Sequence, residues 1–178
     1  MKNKVLKWEL AGIFFIVIVG SLLHFIFEWS GDWKPLALIA AVNESVWEHL
    51  KLAFWPGVFW AVIEYRPLKK HTQNFLPAKT AFLYLAPAFI IISFYTYTGI
   101  IGRHILFVDI ALFVAATVLG QAVSYKLLTR PYPLKTLNKA AVVCLVLILA
   151  AFSAFTFYPP ELPLFMDSLT GSYGIPGN

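Results

Sequence analysis

The sequence predicts an all-α, integral membrane bundle of five transmembrane helices, with a short interfacial or re-entrant helix before the second span. Three observations carry that expectation. Of the 178 residues, 60% are hydrophobic and 13% charged, and the mean hydropathy is +0.74. A soluble domain of this size could not cover so much apolar surface with so few charges. The apolar residues also gather in stretches of about 20, the length that crosses a hydrocarbon core of about 30 Å. Finally, most of the basic residues fall on one side of the topology those stretches define.

By that length rule the spans run at about 8–29, 45–65, 78–100, 104–128 and 137–158. Lys2, Lys4 and Lys7 precede the first. It resembles a signal peptide but is too long and lacks a small-residue cleavage site, so it reads as an uncleaved span. Pro35–Val42 is apolar yet too short to cross alone, which makes it the interfacial or re-entrant helix. Pro56 and Pro87 fall inside the second and third spans, where proline frees carbonyls. Cys144 is the single cysteine, so no intrachain disulfide forms. Residues 1–158 make the transmembrane domain, and 159–178 form a tail rich in Pro and Gly that folds over the outer face.

Eleven of the fourteen Lys and Arg lie before the first span or in and beside the loops after the second and fourth. The positive-inside rule then places the N-terminus in the cytoplasm and the C-terminus outside. Basic residues in short loops are topogenic, so the net charge of +5 implies the lipid bilayer and no nucleic acid as partner. Trp and Tyr near both surfaces fit aromatic belts.

Seven of the nine acids, and His24, His49 and His104, sort to the outer side. Acids scarcely influence orientation, so topogenesis does not explain this. His24 and Glu28 are four apart on one helical face. Ser45-Val46-Trp47-Glu48 reads as a capping box at the start of the second span. Glu44 and Glu48 stack as like charges unless Lys51, a cation or a shared proton offsets them. His49 points about 100° away from Glu48. Asp109 lies about 7 Å below His104 along the fourth span. Arg103 and Lys51 are its candidate partners, the spacing to His104 being poor for one face. Glu64, Arg66 and Lys69-Lys70-His71 read as an ordinary interfacial loop.

Imidazoles and carboxylates on neighbouring spans are the donors of a divalent metal site, zinc for example. The candidate ligands are His24, Glu28, Glu44 and His49. Glu48 is the base or cap, and Lys51 and Asn43 are orienting groups. His104, Asp109 and Asp167 complete the polar set, the last reaching up from the tail beside Phe165 and Tyr173. No H-E-x-x-H, no G-x-S-x-G and no Gly-rich phosphate loop occurs. The inverted motif H-x-x-E-H would need histidine where Ser45 stands. The leading expectation is a membrane-embedded, metal-dependent hydrolase or transferase acting on a lipid-linked or envelope substrate. A proton- or cation-coupled carrier or channel uses the same residues, a haem site suits the carboxylates poorly, and a structural or interaction role stands beside them. The sequence sets neither substrate nor oligomeric state.

Asn43-Glu44-Ser45, Trp47-Glu48-His49-Leu50-Lys51, Pro163-Leu164-Phe165 and Tyr173-Gly174-Ile175 resemble a family of small, multi-pass bacterial membrane proteins of unknown function. The resemblance implies a prokaryotic plasma-membrane location and brings no activity, substrate or cofactor with it.

Overall fold

The computed structural model describes residues 2–175 of the chain, so Pro176, Gly177 and Asn178 of the predicted tail lie outside the described residues. Five helices follow in order: α1 (Lys2–Trp29), α2 (Val46–Leu68), α3 (Phe75–Ile101), α4 (Leu106–Leu128) and α5 (Lys135–Phe157). Among the described residues the one extended pairing is an isolated bridge between Met166 and Tyr173. The described residues make an all-helical fold.

Four helices, α1, α3, α4 and α5, are long and apolar enough to cross a membrane. The predicted second span is the exception. α2 has the length, 23 residues, but Glu48, Lys51, Glu64 and Arg66 all lie within it. Three of those four are buried, so its polarity is spent inside the bundle. The interfacial helix shrinks as well: only Lys34–Leu38 is helical, as a 3-10 turn opened by Pro35. Ala37, Ala40, Ala41 and Val42 nevertheless tuck in as buried residues.

α1 shows how the bundle is built. Its buried positions, Val5, Glu9, Gly12, Ile16, Gly20, Leu23 and Phe27, recur every three or four residues and form one stripe. Leu6, Leu10, Phe14, Ile18 and Leu22 on the other side are exposed, an arrangement suited to lipid rather than water. Gly12 lets Trp60 of α2 and Gln121 of α4 close in on α1. Gly20 sits against the carbonyl of Leu52 and, at 2.9 Å from where a Cβ would stand, the ring of Phe113. Pro56 has no N–H to offer the carbonyl four residues back, so the Leu52 oxygen is free to face this gap. Small residues at such crossings are how helices approach closely where no water drives them together.

Ile16, Leu50, Phe54, Phe82, Ala86, Ala116 and Phe152 form the main core between α1, α2, α3, α4 and α5. α3 stops at Gly102, whose φ of 79° puts it in the left-handed region while its N–H bonds Thr98 O at 2.7 Å. At one end of the bundle Asn74 joins the α2–α3 and α4–α5 connections. Its amide donates to the carbonyls of Leu127 and Tyr132, and its oxygen accepts from the Leu134 N–H. The other end carries the 3-10 segment, the tail and the predicted site.

Candidate functional site

α1 runs past the core before the chain reverses at Gly31 and Asp32, both at positive φ, which leaves His24 half-buried about two turns short of that reversal. The return segment ends at Ser45, the N-cap of α2, whose side chain accepts from the Glu48 N–H. That cap starts the helix where His49 lies opposite His24. Asn43 shapes the turn before it, its oxygen accepting from the Ser45 N–H at 2.9 Å.

His24 Nε2 and His49 Nε2 are 3.1 Å apart. Glu44 lies against both, with Oε1 at 3.7 Å from His24 and Oε2 at 3.4 Å from His49. These are the residues of this chain whose donor atoms lie close enough together to hold a metal ion, among those described. His49 Nδ1 contacts the Ser45 carbonyl at 2.8 Å. When that nitrogen carries the proton, Nε2 presents a lone pair to its neighbours. His24 Nδ1 is buried without a hydrogen-bond partner. Glu44 lies outside the helices, and the hydrogen bond from His49, above all, holds its carboxyl below the usual range against the opposing effect of burial. The charges of His49, His24 and His104 act in the same direction. Each of the three side chains is about a third exposed (28% for His24, 38% for Glu44, 32% for His49), so a small molecule reaches them from solvent.

The remaining predicted residues separate from this cluster. Glu28 is exposed at the end of α1, outside the group of three. Glu48 and Lys51 are turned inward: Lys51 Nζ donates to Glu48 Oε2 at 2.6 Å and to the carbonyls of Ala37 at 2.8 Å and Ala40 at 3.4 Å. Glu48 also accepts from the Val42 N–H and the Thr156 hydroxyl. The predicted capping box is thus half formed, because the carboxylate that would return to the Ser45 N–H holds Val42 and Lys51 instead. The pair fastens the segment before α2 to α2 itself. Asn43 donates to Gly174 O at 2.9 Å, which makes it a clasp for the tail.

Asp109 finds neither Arg103 nor Lys51. It accepts from the Tyr97 hydroxyl and lies 3.3 Å from His104 Nδ1. Helical spacing made His104 an unsuitable partner, but α4 starts only at Leu106, so His104 sits on irregular chain and reaches back. Asp167 stays within the tail and does not join the cluster: it accepts from the Leu169 N–H and the Thr170 hydroxyl. Phe165 does anchor the tail, its ring packed tilted against Trp47 with centroids 4.9 Å apart, and Leu164 O accepts from the Trp47 N–H.

Sequence reasoning missed a second polar group near the other end of the bundle. Glu64, read as part of an interfacial loop, is fully buried with Glu9 and Lys79. Lys79 pairs with Glu9 at 2.6 Å and also with Glu64. The one signal available was Glu9 sitting two residues beyond Lys7, inside an otherwise apolar stretch.

Fold and site together define a helical protein of membrane-spanning type with a two-histidine, one-carboxylate cluster at one end. Residues 1–175 match a family model described as "Family of unknown function (DUF6512)", and the chain belongs to that family. No curated protein and no solved structure matches it.

Proposed function

We propose that His24, Glu44 and His49 bind a divalent transition-metal ion, zinc by the chemistry of its donors, and that the ion serves a membrane-embedded hydrolase or transferase. The observation that carries this reading is the size of the triangle. A tetrahedral zinc with bonds of about 2.0–2.1 Å has ligands about 3.3–3.4 Å apart. The two imidazole nitrogens are 3.1 Å apart, and Glu44 brings one oxygen to 3.7 Å from His24 and the other to 3.4 Å from His49. One ligand atom from each residue lies within 4.8 Å of the others, so a turn of the carboxylate is what brings a single oxygen to both.

Two further features support it. The Ser45 carbonyl at His49 Nδ1 is the outer partner that orients a metal-bound imidazole and leaves Nε2 free to bind. Three protein ligands at an exposed position would leave room for water, and a zinc ion there would supply the acidity that ionises it near neutral pH. Glu48 is committed to Lys51, so the base in this reading is a neutral His104, held by Asp109 at 3.3 Å. With α2 as the fifth span, neutralised internally, the basic residues put this end outside a prokaryotic plasma membrane. A lipid-linked or envelope substrate is what a site at that surface meets.

Elemental analysis of detergent-purified protein, stripped with chelator and reloaded with zinc, tests the site. One ion per chain is expected, lost in His24→Ala and Glu44→Ala and kept in Glu28→Ala. Protein that refuses zinc while folded, or that binds it equally well without His24, overturns the reading.

A further inference from the structure

The group missed from the sequence has a property of its own. Glu9 of α1, Glu64 of α2 and Lys79 of α3 are at most 4% exposed. Two ionised carboxylates and one ammonium would leave a net negative charge inside the bundle. An uncompensated buried ion costs several kcal/mol even after relaxation. The neighbours supply no second cation: α4 contributes Gln121 and Ser124, α2 adds Trp60, and none of these carries charge. The Trp60 indole lies beside Glu64 and the Ser124 hydroxyl beside Glu9. Both ends of the Gln121 amide are buried and unpaired. Among the described residues no fourth ionisable group forms an ion pair with this set.

Packing limits what can restore neutrality. A Cβ at Gly12 would collide with Gln121 Nε2 and Trp60 Nε1, so α1, α2 and α4 already close on the group from that side. A hydrated cation needs a cavity with several oxygen ligands, and here one face of each carboxylate is taken by Lys79.

We propose that Glu9 and Glu64 form a proton-binding site, holding one proton between them beside Lys79 at neutral pH. The proton sits on one carboxyl while the other stays ionised against the Lys79 ammonium, which makes the trio neutral. The carboxyl that carries it becomes a donor and can bond the second carboxylate. Because the two acids share the proton, the pair titrates as a unit rather than as two separate groups.

Infrared spectroscopy of the full chain in nanodiscs at neutral pH tests this. A C=O stretch of a protonated carboxyl is expected, shifted in heavy water. Both Glu9→Gln and Glu64→Gln should abolish it, because the surviving carboxylate then pairs alone with Lys79. Each single variant should also unfold within a few degrees of the wild type, since the amide mimics the protonated acid, whereas Lys79→Met should unfold far earlier. No such band in the wild type, or a band unaffected by both variants, overturns the proposal. So does a rise in unfolding temperature with sodium at constant ionic strength that Glu64→Gln removes, which would identify the occupant as a cation.

Discussion

Lys51→Met isolates the contribution of the ion pair under the candidate metal cluster. The ammonium is fully buried and bonds Glu48 and the carbonyls of Ala37 and Ala40. Methionine fills similar volume but leaves Glu48 ionised and buried, with only the Val42 N–H and the Thr156 hydroxyl as donors. Breaking a buried pair from one side costs about 3–5 kcal/mol. In a protein of this size each kcal/mol lowers the unfolding temperature by about 2–4 °C, so a loss of roughly 6–20 °C is expected. Lys51→Met/Glu48→Gln should recover most of it, since no charge is then stranded. Thermal unfolding in one detergent, followed by circular dichroism, supplies the measurement. A single variant as stable as the wild type, or a double variant worse than the single, would show that the pair does not fasten the 3-10 segment to α2.

The other predictions concern the site and its supports. Zinc binding should weaken as pH falls into the acid range, because the imidazoles bind metal only when neutral; equilibrium dialysis over a pH series reads this directly. In metal-free protein the Glu44 carboxyl titrates below its ordinary value of 4.5. Its stabilisation is therefore fully present above that pH and lost as pH falls through the lowered folded value, so Glu44→Gln should flatten the acid limb of an unfolding-temperature profile. Gly20→Ala should cost about 1–3 kcal/mol by driving a methyl into the Leu52 carbonyl and the Phe113 ring, measurable as a lower unfolding temperature. Deleting residues 161–178 removes the Phe165–Trp47 contact and the Gly174 clasp on Asn43, and should lower both thermal stability and zinc retention.

The helices were legible because their apolar runs are local. The second span illustrates the limit: its length was readable, whereas the burial of Glu64 depended on Glu9 and Lys79 meeting it from two other helices. Among the candidate site residues, His24, Glu44 and His49 do come together in space. Glu28 shares a helical face with His24, but one turn further the helix has outrun its neighbours and that face looks onto solvent. Glu48 satisfied two sequence readings, cap partner and base, and the geometry spends its carboxylate on Lys51 and Val42. Asp109 and His104 were judged by helix periodicity that does not apply ahead of Leu106. In each case the missing information was which distant element supplies the partner, which spacing along one chain does not encode.

The Asn43–Gly174 bond joins positions 131 residues apart, with four helices made in between. During synthesis the segment bearing Glu44 leaves the ribosome early, yet its clasp arrives only after α5 is complete. The fastening of the loop that bears Glu44 is thereby a late event, and a chain arrested before Gly174 would carry the cluster's ligands without that bond.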